Sequence, residues 1–209
     1  KAISESNKLA VSNTFLIKNQ DKQWDWESLS KSKCLTINKE LLENTKQRAW
    51  DWIRLSSNNS LQLSLKELLS LDIANWDWAV LSGREDIPFD NESILSTLDK
   101  SYTTWDWGAL STRTDLQYNE DFILKIWQKP MDWISVSRMS SFIPSINVLS
   151  KISNFDLDWD AISQNNFLSK EVLYQYRDKL NWKYVSQSET FQKLGIEFFR
   201  KYRTYLDWS

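Results

Sequence analysis

The chain contains no histidine and a single cysteine, Cys34. Histidine is the commonest general base and the commonest metal ligand, so its absence argues against acid–base catalysis and against most metal sites. A lone cysteine cannot form a disulfide within the chain, and Cys34 has no histidine to activate it as a nucleophile. These absences predict a protein that is not an enzyme and that uses no metal and no cofactor.

Glycine and proline are also scarce, with three residues of each in 209. Few turn-forming residues beside 13 tryptophans favour helices joined by short polar loops over a β-sandwich. The 26 basic and 28 acidic residues nearly cancel, so the composition gives no electrostatic argument for a dedicated polyanion-binding protein. No apolar run approaches the roughly 18 residues that span a bilayer, and the first residues lack a signal-peptide pattern. We therefore expect a cytoplasmic protein with no membrane partner.

One motif, Trp-Asp-Trp-x-x-Leu-Ser, recurs along the chain. We number each repeat from its second tryptophan, position 0, which recurs at intervals of 26, 26, 29, 26, 26, 23 and 26 residues. The last four copies replace the first tryptophan, at position −2, by Met131, Leu157, Leu180 and Leu206. A constant period of this length is typical of repeat architectures. The position-0 residues are Trp26, Trp52, Trp78, Trp107, Trp133, Trp159, Trp182 and Trp208.

Other positions of the repeat are nearly as constant. Position −1 is Asp in seven copies and Asn181 in the remaining one, and position +4 is always Ser, as in Ser30. Positions +3, +9 and +16 are apolar, with Leu173 taking the +16 place after a two-residue deletion, and position +12 is usually a helix-capping type such as Asn38. The start of the chain follows the same register, from Ile3 at +3 to Leu16 at +16. The repeat therefore includes the N-terminal stretch.

These residue types predict two short helices in each repeat. The residue at −1, Asp or Asn181, is the N-cap of a first helix of about two turns, and the apolar residues at −2 and +3 form a hydrophobic staple. The Ser at +4 bonds back to a carbonyl or helps to end this helix. The residue at +12 caps a second helix of about three turns, such as residues 38–47. In the second full repeat, Ser64-x-x-Glu67 is a capping box.

One such helix pair cannot bury its own apolar face, so neighbouring repeats must stack. The sequence thus predicts an all-α fold, an α-solenoid of about eight 26-residue helix-pair repeats, with more than half of its residues helical. We expect residues 1–209 to form a single repeat array, with the two interval changes taken up in helix ends and loops. The array is cut within a repeat at both ends, so we expect it to be part of a larger protein.

The motif Asp-Trp-x-x-[Leu/Ile/Val]-Ser resembles tryptophan-containing helical repeats of large bacterial and giant-virus proteins. The closest stretch is Asp-Trp-Asp-Ala-Ile-Ser at 158–163, and the resemblance covers all eight units. It implies an all-helical array, and it implies no catalytic residues because no activity is established for such repeats. The doubled tryptophan of the first four full repeats departs from the Leu-Asp-Trp form.

The repeated Asp and Trp residues each have a functional alternative to a structural role. The carboxylates could be catalytic, but stacked helices lie roughly 8–10 Å apart, which is too far for joint nucleophile chemistry. The tryptophans could form a ladder on which nucleic-acid bases stack. Aliphatic replacement at −2 favours the core instead, because aliphatic side chains do not stack on bases. Trp127, outside the register, is the better candidate for a surface aromatic contact.

The loops after the first helices carry Lys31, Lys33, Arg84, Arg113 and Arg138. Equivalent loops of a solenoid line one edge, so these side chains could form a basic stripe that contacts phosphates. The alternative is a set of solvated loops, since acidic residues such as Glu85 interrupt the stripe. The candidate partner-binding residues are Lys31, Arg84, Arg113, Trp127 and Arg138.

The function that these observations favour is a non-enzymatic scaffold or recognition segment that mediates protein–protein interaction within a larger protein. Its partner is another protein or a flanking domain of the same chain, because repeat solenoids present extended surfaces that mostly bind proteins. The alternative is a nucleic-acid-binding module attached to a nuclease or ATPase domain.

Overall fold

The structure is a computed structural model that describes residues 11–71, 73, 75–189, 198, 200, 201 and 203. These residues are all-α, with fourteen helices and no β-strand, and the tryptophan-bearing helices recur at regular spacing. The predicted helix-pair solenoid is therefore confirmed. The positions assigned to Ile3 and Trp208 lie outside the described residues.

Each first helix begins at the position-0 tryptophan and ends at or just after the +4 serine. In α2, for example, the carboxylate of Asp25 accepts from the backbone N–H of Ser28 and caps the helix. The N-cap on one side and the polar loop on the other limit these helices to five or six residues. They are α2 (Trp26–Ser30), α4 (Trp52–Ser56), α6 (Trp78–Ser82), α8 (Trp107–Ser111), α10 (Trp133–Ser137), α12 (Trp159–Ser163) and α14 (Trp182–Gln187).

The second helices carry the +16 residue, or Leu173 at +14 in α13, and are five to seven residues long. Their N-caps are the predicted +12 side chains except in α13, whose cap Ser169 is at +10. In α5 the predicted capping box is present, with Glu67 accepting from the Ser64 backbone N–H at 2.8 Å. The helices are α1 (Asn13–Lys18), α3 (Lys39–Thr45), α5 (Leu65–Ser70), α7 (Asn91–Leu95), α9 (Glu120–Ile126), α11 (Ile146–Ile152) and α13 (Lys170–Gln175).

Both helix types are shorter than predicted, and helices cover less than half of the described residues. The prediction that more than half of the chain is helical is therefore wrong for this part. Helix α3 shows the physical reason, because the backbone carbonyl of Thr45 bonds to the N–H of Arg48 and to the indole of Trp50. These contacts take the place of a further helical turn, so the helix stops at Thr45.

The chain divides into two compact units, Lys1–Ala109 and Leu110–Ser209, here called unit 1 and unit 2. In each unit, helices of the same type contact each other in successive repeats. In unit 1, α1 contacts α3, while α2 contacts α4 and α4 contacts α6. In unit 2, α9 contacts α11, while α10 contacts α12 and α12 contacts α14. That residues 1–209 form one continuous repeat array stays a prediction.

The core of each unit consists of the apolar positions +3, +9 and +16. Leu55, Leu61 and Leu68 occupy these positions in the second full repeat and are almost fully buried, as are their counterparts in the other described repeats. The two changes of interval lie outside the helices, as predicted. The longer one occupies the loop 96–104, and the shorter one removes residues of the loop before α13.

Candidate functional site

The loops after the first helices carry most of the residues that the sequence nominates for partner binding. We call this surface the loop edge and define it as positions +5 to +8 of each repeat. Its described segments are 31–34, 57–60 and 83–86 in unit 1, and 112–115, 138–141, 164–167 and 187–189 in unit 2.

The serine at +4 holds the base of each loop. In unit 1, Ser30 Oγ donates to the carbonyl of Trp26 at 2.8 Å and accepts from the backbone N–H of Asp51, in the next repeat, at 3.0 Å. The bond to its own helix confirms the prediction. The sequence did not predict the bond to the next repeat, because no residue pattern within a single repeat indicates it. It recurs at the backbone N–H groups of Asp51, Asp77, Asp106, Asp132, Asp158 and Asn181.

The side chain at +6 also holds the loop edge of unit 1 together. Asn58 Nδ2 donates to the carbonyls of Ser30 and Ser32, in the preceding repeat, at 2.8 and 3.0 Å. One repeat later, Arg84 Nη1 donates to the carbonyls of Ser56 and Asn58 at 2.9 and 3.0 Å. A different residue type thus makes the same inter-repeat contact at the same register.

Arg84 and its counterpart Arg113 are buried, with only 9% and 7% of their surface exposed. Their guanidinium groups form ion pairs with Asp86 and Asp115, at 2.5 and 2.6 Å. The sequence left two interpretations of these loops open, a basic stripe that contacts phosphates and a set of solvated loops, and the burial of Arg84 and Arg113 corrects both at these two positions. Position +6 lies between the buried +3 and +9 positions, and a long side chain there reaches inward to backbone carbonyls.

Two other candidates, Lys31 and Arg138, share position +5 and remain accessible. The Lys31 side chain is 45% exposed and pairs with Glu27 at 3.3 Å. The Arg138 side chain is 62% exposed, and its Nε lies 2.6 Å from Asp158, the N-cap of α12. Both side chains are therefore available to a partner at the loop edge.

Trp127 lies elsewhere, as the C-cap residue of the second helix α9. Its ring is half-buried, and the ammonium group of Lys151 lies 5.6 Å from the ring centroid. The structure thus places Trp127 outside the loop edge. Contact of any of the five candidates with a partner stays a prediction.

A groove of about 430 Å³ lies on the loop edge of unit 1, between the first and second full repeats. Three cationic side chains line it: Lys31 and Lys33 from one repeat and Arg54 from the next. Neutral polar residues complete it, among them Asn59 and Ser60. This lining can donate hydrogen bonds from charged groups to an anionic ligand.

Unit 2 has two grooves at the same register, each of about 380 Å³. The first brings Arg138 together with the carboxylates Asp158 and Asp160. The second, one repeat later, is lined by Asn166 and Glu189 together with other polar residues. Polar grooves therefore recur along the loop edge, but the charges of their lining residues differ from groove to groove.

The Asp residues at −1 are helix caps, as predicted. The backbone N–H groups two residues after position 0 donate to them, for example that of Val80 to Asp77 at 3.0 Å. Asn181 departs from the prediction, because its side chain makes no capping bond. Its Nδ2 donates instead to Asp160 at 2.9 Å, and this contact accounts for the lost cap.

Hydrogen bonds of this capping type also lower the pKa of two of the capping carboxylates. The hydroxyl of Ser135, and then its backbone N–H, hold the pKa of Asp132 below its ordinary value. The backbone N–H of Ala161 lowers the pKa of Asp158, and the Arg138 guanidinium adds to this effect. Both carboxylates are therefore stabilised in the charged form by the contacts that fix their helices.

The tryptophans of unit 1 form edge-to-face pairs across repeats. The position-0 ring of one repeat packs against the position −2 ring of the next, with centroids 4.9 to 5.0 Å apart. This contact explains the doubled tryptophan and supports its assignment to the core. The pairs are Trp26–Trp50, Trp52–Trp76 and Trp78–Trp105.

Several chemical features of the described residues are relevant to function. No group of three or more Cys, Asp or Glu residues within this part could hold a metal ion. Cys34, the one cysteine of the chain, is exposed on the loop edge. None of the described helices has the length and apolarity needed to cross a membrane.

No family model, curated protein or solved structure matches this chain. The class of protein is therefore defined by its own fold, which is an all-α helical-repeat protein with a tryptophan-based period. Its particular features are the serine bond between successive repeats and the grooved loop edge. The resemblance to tryptophan repeats of bacterial and giant-virus proteins stays a prediction.

Proposed function

We propose that this chain is a non-enzymatic recognition scaffold that binds an extended segment of a protein partner along its loop edge. The observation that carries the proposal is the recurrence of a polar groove at the same register in both units. The two described grooves of unit 2 lie one repeat apart, which suits an extended chain that places successive segments in successive grooves.

The proposal is also supported by the way the walls of these grooves are held. The +4 serines bond successive repeats, and the +6 side chains of Asn58, Arg84 and Asn165 bond their loops to the preceding repeat. A surface whose backbone is fixed before binding loses little conformational entropy when a partner docks. The grooves are therefore suited to recognition of a flexible segment.

The nucleic-acid alternative receives less support from the same contacts. Arg84 is occupied by bonds to buried carbonyls and Arg113 by its ion pair with Asp115, and the first groove of unit 2 includes Asp158 and Asp160. Phosphate contacts need cations at regular intervals along the surface, because each neutralised phosphate contributes to affinity. A protein segment needs no such continuity.

The experiment is to fill the grooves without touching the bonds between repeats. Asn59 and Asn166 are exposed and line grooves in unit 1 and unit 2, at position +7 of their repeats. Peptides are selected from a random library on the native chain, and their affinities are then measured for an Asn59→Trp, Asn166→Trp variant. We expect most selected peptides to lose binding to this variant.

The matched control is Asn44→Trp with Gln175→Trp, which places the same bulk on exposed positions of the second helices α3 and α13. Peptide affinities should be unchanged in the control. Failure to select any binding peptide, or equal losses in both variants, would contradict the proposal.

A further inference from the structure

We propose that the groove of unit 1, between the first and second full repeats, binds the carboxylate side chains of an acidic peptide segment. This inference rests on the proposed function and names the ligand class of one of its grooves. Lys31, Lys33 and Arg54 line the groove, and no carboxylate is among its lining residues. The chain as a whole carries a net charge of −2, so this concentration of positive charge is local.

The three cationic side chains have hydrogen-bond donors available to a ligand. Lys31 has a single carboxylate partner, Glu27, and Arg54 pairs through Nε with Asp51 at 2.8 Å. Lysine carries three donors and arginine five, so one partner leaves several of them available. Lys33 is exposed and forms no ion pair with another described residue.

A neutral amide in the same groove fits a peptide backbone. Asn59 is exposed, and no described residue occupies its side chain. An amide side chain carries two donors and an acceptor, which can bond the C=O and N–H of one peptide group. The groove thus offers cations for acidic side chains and an amide for the main chain between them.

The two sides of the groove are bonded to each other. The side chain of Asn58 bridges them, because its Nδ2 donates to Ser32 and its Oδ1 accepts from the backbone N–H of Ser60 at 2.8 Å. Ser60 Oγ in turn donates to the carbonyl of Lys33 at 3.2 Å. Since the loops are fixed in this way, charge rather than induced rearrangement should decide which ligand binds.

A peptide fits this groove better than a polynucleotide does. No aromatic side chain lines the groove, so it offers no surface for base stacking. The next loop of unit 1 carries Glu85 and Asp86, and its Arg84 is buried. Positive charge therefore ends after one groove, which matches a short acidic segment rather than a continuous row of phosphates.

The test measures the affinity of the full chain for a short Glu-rich peptide by fluorescence anisotropy. Its Gln-substituted counterpart and an oligothymidylate of equal charge are the comparison ligands. We expect the Glu peptide to bind about tenfold or more tighter than the Gln peptide and to weaken as salt is added. A fluorophore on Cys34, the one cysteine of the chain, should respond to the Glu peptide because it lies beside Lys33.

The decisive variant is Lys31→Gln, Lys33→Gln, Arg54→Gln, which should remove the preference for the Glu peptide. The matched control is Lys39→Gln, Lys46→Gln, Lys66→Gln, which makes the same change in net charge on or beside the second helices α3 and α5. It should retain the preference. Both variants alter exposed side chains, and unchanged circular dichroism and thermal unfolding would verify their folding.

Three outcomes would overturn the inference: equal binding of the Glu and Gln peptides, equal loss in both variants, or tighter binding of oligothymidylate that depends on the groove cations. If library-selected peptides still bind the loop edge, such a result leaves the proposed function standing. If no peptide of any composition binds, the proposed function fails as well.

Discussion

Unit 1 and unit 2 use the same repeat but pack its tryptophans differently. In unit 1 the position-0 ring meets a tryptophan of the next repeat edge-on, as Trp78 meets Trp105. In unit 2 position −2 is aliphatic, and the ring partners come from earlier in the next repeat. Phe155 stacks on Trp133 at 5.8 Å, and Tyr176 lies 5.5 Å from Trp159.

An aromatic contact between repeats can therefore be made by residues at more than one position of the repeat. Phe155 lies four residues before position 0 and Tyr176 six, whereas the unit 1 partners lie two residues before it. The backbone contact is the same in both units, since the +4 serine accepts the next −1 N–H throughout. The serine bond therefore sets how successive repeats join, and the ring contact adapts to it.

The largest expected effect is at the paired tryptophans. Trp78 is 1% exposed, so Trp78→Ala should destabilise the fold by about 3–5 kcal/mol, as cavity-forming substitutions do. Trp159 of unit 2 is half-buried, and Trp159→Ala should cost less. Urea unfolding followed by far-UV circular dichroism measures both. Equal losses would show that the two ring arrangements contribute equally.

The next effect concerns the basic residues of the loop edge. Arg84→Ala removes donors from two carbonyls and should cost about 2–3 kcal/mol, since hydrogen bonds to charged groups have roughly this net value. The exposed Arg138 of unit 2 is the matched control, and Arg138→Ala should cost about 0–1 kcal/mol. Denaturant unfolding of both variants provides the comparison. A larger loss at Arg138 would contradict the interior role of Arg84.

A smaller effect, equal in the two units, is expected at the +4 serine. Ser56→Ala leaves the backbone N–H of Asp77 without its acceptor, and Ser163→Ala does the same to Asn181. Each should cost about 1 kcal/mol or slightly more, because a part-buried N–H group loses its hydrogen bond. Hydrogen exchange of these two amides should accelerate in the respective variant. Unchanged exchange at either amide would show that the bond does not stabilise that junction.

A still smaller difference in stability between the two units is expected at the helix caps. Asp77→Ala should cost about 1 kcal/mol because the cap bond to Val80 is lost. Asn181→Ala should cost less, because the Asn181 side chain makes no capping bond. Thermal unfolding of the two variants measures the difference. If Asn181→Ala cost as much as Asp77→Ala, the contact of Asn181 with Asp160 would be as stabilising as a cap.

The smallest effect is the pH dependence of the unit 2 caps. The pKa of Asp132 is lowered in the folded state, so the native protein binds fewer protons than the unfolded chain. The associated stability is present above the ordinary carboxyl pKa and is lost as the pH falls through the lowered value. Ser135→Ala removes the main cause, so the pKa of Asp132 should rise in a carboxyl NMR titration. An unchanged pKa would contradict the role of the Ser135 hydroxyl.

Sequence alone determined the helix pair, the caps and the buried positions, because these depend on residue types at fixed local spacing. Asp at −1 caps its own first helix, Ser at +4 bonds back to a carbonyl of that helix, and the apolar types at +3, +9 and +16 mark the buried face of each repeat. The period then required the repeats to stack, since no single pair can bury its apolar face.

Which polar groups form hydrogen bonds across repeats depends on the tertiary structure. The bond of Ser30 to Asp51 and the bonds of Arg84 to the carbonyls of Ser56 and Asn58 join residues 21 to 28 apart in sequence. The charges of the grooves have the same origin, because each groove combines side chains of two repeats. Local spacing cannot show whether a loop cation is exposed, as at Lys31, or bound to backbone carbonyls, as at Arg84.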